Sequence, residues 1–344
     1  MKRQSRFGLA TVALALTGCS AETWQVERQD SGVTTSLRGL SVVSDQVVWI
    51  GAPEGGVLRT LDGGLSWQVT TAGPAEGADL RSAHGFDDSH ALFITAGQPA
   101  RILETRDGGA SFTIAWEDGS GSAFFDSLAF WDDRQGLAFS DPVDGQFLIL
   151  RTRDGGASWE QVEGLPEPLD GEAGFAASNT SIALAPDGCA YIGTGGGAIA
   201  RVLASCDFGE SWVARPAPLA AGSGGAGIFA LAAGPDGLLA AVGGDYQDPE
   251  RRDGTFALTR DGGASWVWGD PQPNGYRSDI SPLGDGWMSV GTNGVDLGRV
   301  SGDTISWEAS GWEIAAPNAV AFSPSGETGW IIGANGGIWR LTAQ

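Results

Sequence analysis

The sequence predicts an all-β fold, a seven-bladed β-propeller whose last blade is closed by the N-terminal strand. Three observations carry that expectation. A short phrase, Thr60-Leu61-Asp62-Gly63-Gly64-Leu65-Ser66-Trp67, returns at Asp107–Phe112, Asp154–Trp159, Asp207–Trp212, Asp261–Trp266 and, degenerate, Asp303–Trp307; its Asp residues are spaced by 45, 47, 53, 54 and 42. A period of that size marks a repeat architecture, in which each unit buries its apolar face only against its neighbours. Around the phrase runs a recurring order of three apolar strands, a turn and a fourth strand. Finally, first, second and third strands can be found seven times but the turn only six.

First strands are expected near 37–43, 80–86, 126–131, 173–178, 226–232, 276–281 and 317–323. Second strands follow near 46–51, 90–96, 135–140, 189–194, 238–243, 286–291 and 328–333, apolar and often ending in Gly. Third strands, near 57–61, 101–105, 147–152, 199–205, 255–260, 296–300 and 337–341, lead into the turn, and a fourth begins at its Trp or Phe. The missing fourth strand stands at the other end: Thr23-Trp24-Gln25-Val26-Glu27 reads like Ser66-Trp67-Gln68-Val69-Thr70, with no first, second or third strand before it. Pairing the two chain ends leaves only short, protected sheet edges. Residues 23–344 thus read as one domain, with very little helix.

Each turn is explained by structure. The Asp carboxylate is placed to accept hydrogen bonds from turn amides and from the Ser hydroxyl four residues on. Gly64, Gly109, Gly156, Gly209 and Gly263 stand where a positive φ is needed. The following aromatic residue is large enough to wedge between neighbouring sheets. Asp62, Asp107, Asp154, Asp207, Asp261 and Asp303 are therefore read as structural. The phrase resembles the Asp-box (bacterial neuraminidase) repeat. Over residues 24–342 the chain also resembles bacterial relatives of the photosystem II stability/assembly factor, through these turns together with Phe124-Phe125-Asp126, Asp141-Pro142-Val143-Asp144-Gly145, Gly244-Asp245-Tyr246 and Gly275-Tyr276-Arg277-Ser278. That resemblance implies a non-catalytic assembly role, an Arg-lined face being offered to a newly made protein. The acidic composition and the N-terminal segment depart from the photosynthetic members.

Residues 1–18 read as a lipoprotein signal peptide: Lys2, Arg3 and Arg6 precede the apolar stretch Phe7 to Leu16, which is too short to span a bilayer. Leu16-Thr17-Gly18-Cys19 looks like a lipobox, so Cys19 is the expected lipidation site and residues 19–22 a short tether. The expected location is the periplasmic side of the cell envelope, with Ser20 favouring the outer membrane in a Gram-negative host. Three of the 20 basic residues lie in the leader, leaving 17 against 42 acidic residues, a net of −25. So acidic a body disfavours nucleic acid. Cys189 and Cys206 fall at the start of one strand and the end of its hairpin partner, candidates for a disulfide in an oxidising compartment. With only His84 and His90, and neither in a Cys/His spacing, no metal is expected. No cofactor is expected either, since Gly193-Thr194-Gly195-Gly196-Gly197 precedes a strand and not a helix.

In a propeller the first strands line the central channel, and the loops entering them form one face. The candidate ligand or partner face is Arg38, Arg81, Asp126, Asp141, Glu172, Asp245, Tyr246, Tyr276 and Arg277, with Asp144, Asp279, Asn293 and Asp296 nearby. The reading is a binding scaffold for a protein or an extended ligand. The alternative is a carbohydrate-active hydrolase acting on a glycan through Asp126, Glu172 and Asp245, because glycoside hydrolysis needs a pair of carboxyls. A sialidase would need three convergent Arg and a Tyr nucleophile. Ser36-Leu37-Arg38-Gly39-Leu40 stands where the expected Arg-Ile-Pro motif does not.

Overall fold

A computed structural model describes residues 24–344 apart from 235, 236, 302 and 303. Cys19, with the rest of residues 1–23, and Asp303 lie outside the described residues. The described strands form seven four-stranded antiparallel sheets arranged as seven blades. Six blades are simple meanders; the seventh has its N-terminal strand Trp24–Gln29 outermost, beside the C-terminal strand Ile338–Ala343, with Trp24 opposite Ala343 and Gln29 opposite Ile338. The chain ends therefore close the ring.

The innermost strands of blades 1 to 7 are Gly39–Val42, Asp79–Gly85, Phe125–Phe130, Ile182–Leu184, Ala226–Ala233, Asp279–Leu283 and Pro317–Phe322. Two differ from expectation. In blade 4 the strand is displaced from 173–178 to Ile182–Leu184, and residues 174–180 take another path, described below. In blade 6 the strand starts at Asp279, after Tyr276 and Arg277 have been spent on the mouth of the channel and on a buried ion pair. In blades 1 to 5 the outer strand starts just after the aromatic residue of the turn, as Gln68–Thr71 does after Trp67; in blade 6 it runs Thr304–Ala309 and includes Trp307.

Apolar clusters fill the seven junctions between blades, and the aromatic residue of each turn reaches the junction with the preceding blade. Trp67 packs with Trp330 and Ile332, Phe112 with Trp49, Trp159 with Leu92, Trp212 with Leu137, Trp266 with Tyr191 and Trp307 with Phe256. Trp24 takes the equivalent place between blades 6 and 7, its ring edge-on to Phe322 at 5.3 Å. Burying one large apolar side chain stabilises by about 1.5–3 kcal/mol, so the ring is held by its junctions.

The turns repeat one hydrogen-bond pattern. Thr60 Oγ1 donates to Asp62 (2.8 Å) and accepts the Gly64 N–H (2.8 Å). Asp62 accepts the Ser66 N–H (2.9 Å) and the Ser66 hydroxyl (2.6 Å). The same set occurs at Asp107, Asp154, Asp207 and Asp261. Gly64 and its counterparts Gly109, Gly156, Gly209 and Gly263 all have positive φ. Cys189 and Cys206 are joined by a disulfide across the second and third strands of blade 4.

Candidate functional site

Four innermost strands carry a β-bulge near their start, with Arg81, Asp126, Phe229 and Asn318 as the unpaired residues. A bulge breaks the two-residue alternation and re-aims one side chain. Arg81, Phe229 and Asn318 are thereby turned into a pocket of about 350 Å³ at the channel mouth. Arg38, Phe175, Tyr246, Tyr276 and Thr292 also form its wall, with Ala176, Ala177, Ser278 and Pro317 filling the gaps between them.

One side of the pocket is aromatic. Phe175 stacks on Phe229 at 3.8 Å, and Phe229 meets Tyr276 edge-on at 4.7 Å. Tyr246, half exposed at 51%, stands 6.2 Å from Phe229. Burial pushes the Tyr276 hydroxyl well above its ordinary pKa, so it stays a neutral hydrogen-bonding group. The other side is basic. Arg81 pairs with Asp79 at 2.7 Å. Arg38 donates to the Ala177 carbonyl at 3.0 Å and forms no ion pair among the described residues. Burial, then the nearby Arg81, lowers its pKa, the mark of a cation short of a counter-ion.

The floor is closed by residues 174–180, which run across the channel between two points still bonded to blade 4: Ala173, paired with Gly195 (2.9 and 3.0 Å), and Ser181, whose carbonyl accepts the Gly193 N–H (3.0 Å). The Ala177 carbonyl accepts from Arg38 of blade 1. Asn179 meets blade 2 through its side chain, donating to the Ala83 carbonyl (2.8 Å) and accepting from the Ala83 N–H (3.0 Å) and the Ser82 hydroxyl. Its carbonyl accepts from Ser127 of blade 3 (2.7 Å). The Thr180 carbonyl accepts the Leu231 N–H of blade 5 (2.8 Å), and the Thr180 hydroxyl donates to Asp279 of blade 6. The channel is therefore plugged and the pocket blind. A strand at 173–178 would leave these cross-channel groups of five blades unmet.

Of the residues named for a binding face, Arg38, Arg81, Tyr246 and Tyr276 line this pocket. Asp126, Asp141, Glu172, Asp245 and Arg277 are not part of the pocket wall, and Asp126, Glu172 and Arg277 are corrections to an exposed binding face. Arg277 is buried and paired with the buried Asp296. Glu172 is buried, held by Arg201 and accepting the Thr194 hydroxyl at 2.5 Å. Asp126 is buried, and no donor reaches either of its oxygens. Its polar neighbour is the carboxyl of Asp141, which accepts the Gly174 N–H at 2.8 Å. Burial, then Asp141, drives Asp126 well above the carboxylate range; burial also raises Asp141. Asp245 accepts from Ser223 (2.8 Å) and from the Gln247 amide (2.9 Å). Each carboxyl named for glycoside hydrolysis thus has a local partner or is sealed off. Phe229 and Asn318 escape sequence reading because apolar or small polar residues in a channel strand look like core until a bulge turns them outward, and Phe175 because it reads as part of a first strand.

No protein-family model and no curated protein matches the chain. Solved structures do resemble it. A structure of YCF48 bound to a D1 peptide shares 15% identity with a TM-score of 0.67, over 93% of this chain and 97% of that one. YCF48 from Cyanidioschyzon merolae shares 14% at 0.65, over 92% and 98%. A GH74 xyloglucanase from Xanthomonas campestris shares 15% at 0.57, covering 86% of this chain but 51% of its own. At such identities the likeness is one of fold: the chain is a seven-bladed β-propeller, similar over nearly its whole length to YCF48.

Proposed function

We propose that this chain is a non-catalytic protein-binding propeller of the cell envelope, anchored through Cys19, that holds an extended segment of a partner across the mouth lined by Arg38, Arg81 and Tyr246. The observation that carries the reading is Arg38, a half-buried guanidinium without a carboxylate partner, facing a stacked aromatic wall in an otherwise acidic molecule. An acidic or carboxylate-bearing peptide supplies the missing counter-charge, and its apolar side chains find Phe175, Phe229 and Tyr276. The D1 peptide bound to the similar YCF48 fold supports a peptide as the ligand class. The blind floor favours a segment laid over the mouth.

The test is capture of an acidic peptide library by the full chain and by the variant Arg38→Ala with Arg81→Ala. Loss of two mouth cations weakens capture at least about tenfold, equivalent to roughly 1.4 kcal/mol. Stability should move by less than about 1 kcal/mol, since both groups are partly exposed. Undiminished capture removes the mouth from the reading. Hydrolysis of sialosides or other glycans by the unaltered chain would overturn the non-catalytic part.

A further inference from the structure

The plug carries no titratable side chain of its own, being Gly174-Phe175-Ala176-Ala177-Ser178-Asn179-Thr180. Its two ends nevertheless rest on buried acids. At the leading end the Gly174 N–H donates to Asp141, while Asp126 lies so close beneath that a Cβ on Gly174 would run into its carboxyl oxygen and the Phe139 ring. Asp126 receives no hydrogen bond as a carboxylate. A buried carboxyl without a donor persists by keeping a proton, and here the acceptor for that proton is Asp141. Among the described residues, the cation acting on Asp126 from a neighbouring strand is Arg81, itself paired with Asp79. At the far end Asp279 is well supplied with donors: it accepts from the Thr180 hydroxyl, the Ile280 N–H (2.8 Å) and the Val320 N–H (2.8 Å).

We propose that residues 174–180 form a proton-latched plug whose leading half seats while Asp126 and Asp141 share a proton and lifts when that proton is lost. Two carboxylates forced together under Gly174 repel each other and cannot both be satisfied, so the cheapest relief is to move Gly174 and admit water. Asp279 differs in its donors. Burial raises its pKa to about 7, but the bonds from Thr180, Val320 and Ile280 work against that rise, so the far end keeps its contacts where Asp126 at the leading end has none. The leading half therefore moves between two fixed points, the Ala173–Gly195 pair of blade 4 and the Asn179–Ala83 contacts. The leading half carries Phe175 and Ala177, so its lift would unstack Phe175 from Phe229 and release Arg38 from the Ala177 carbonyl. Occupancy of the mouth is thereby tied to the latch. The latch adds control to the binding reading above but does not depend on it.

Residue-resolved amide exchange of the full chain tests the latch without any ligand. The Gly174 amide reports the leading end; the Ala83 and Leu231 amides, which donate to Asn179 and Thr180, report the far end. As the pH rises above the ordinary carboxylate range, and after correction for intrinsic exchange, protection of Gly174 falls by up to about tenfold per pH unit once opening is coupled to release of one proton. Protection of Ala83 and Leu231 holds. In Asp126→Asn, whose amide still donates to Asp141, the fall at Gly174 disappears. A flat profile at Gly174 in the unaltered chain overturns the proposal, even should the variant not fold. So does an Asp126→Asn profile that tracks the unaltered one. Loss of peptide capture with an intact pH profile would fault the binding reading and leave the latch standing.

Discussion

Arg277 shows how a charged residue at a channel strand can be structural. Its guanidinium has no exposed surface and donates to Asp296 and to the Tyr276 carbonyl (2.8 Å), while Asp296 also accepts the Asn274 N–H (2.6 Å). Removing one member strands the other as an unpaired buried charge. Arg277→Leu is therefore expected to destabilise by about 3–5 kcal/mol, read by urea unfolding. Arg277→Leu combined with Asp296→Leu should recover most of that loss. A cost below about 1 kcal/mol for the single change would mean that water reaches Asp296. Nothing in Gly275-Tyr276-Arg277-Ser278 distinguishes this arginine from Arg38; only the tertiary position of Asp296 does.

At the scale of the element, the N-terminal strand is the one piece of a blade that arrives from a distance. It covers the hydrogen-bonding edge of Ile338–Ala343 and brings Trp24 to the junction of blades 6 and 7. Gln29 then reaches on to blade 1, donating to the Gly63 carbonyl at 2.9 Å. A chain starting at residue 30 should lose cooperative unfolding and aggregate through the bared edge. A permuted chain carrying residues 24–29 behind Gln344 should regain most of the melting temperature, because in every other blade the outer strand follows the third. Equal melting of the truncated and full chains would show that the edge needs no cover. The closure was legible in the sequence, since a Trp-led strand without predecessors has one vacancy to fill. The path of residues 174–180 was not. Its small apolar residues suit a channel strand equally well, and its plugging role rests on partners 139, 97 and 99 residues distant.

At the scale of the whole molecule, two sets of acids set the pH response with opposite signs. In the turns, hydrogen bonds from the Ser hydroxyl and amide hold Asp62 and Asp207 down to about 2, with Asp107, Asp154 and Asp261 also lowered. Their contribution is present above the ordinary Asp value of about 4 and is lost as the pH falls through about 2. The inner acids Asp126, Asp141 and Asp279 are raised, so their contribution is full below about 4 and declines as the pH rises, for Asp279 up to about 7. Acid unfolding should therefore be cooperative and set by the turns. Asp62→Asn with Asp207→Asn should lower stability at neutral pH and flatten the loss between about pH 4 and pH 2, followed by circular dichroism. An unchanged acid profile would show that the turns do not govern it.

What the sequence determined by itself was the ring: the number of blades, their order, their turns and the way the ends meet. Those features follow from local periodicity and from side chains that bond within a few residues, so each copy declares itself. What only the tertiary structure decided was the surface the ring presents. Whether Arg38, Arg81, Asp126 or Arg277 meets solvent or lies in the interior depends on a one-residue bulge and on partners brought from other blades. Alternation along a strand does not record a shift of one residue, and sequence distance does not record who stands across a channel.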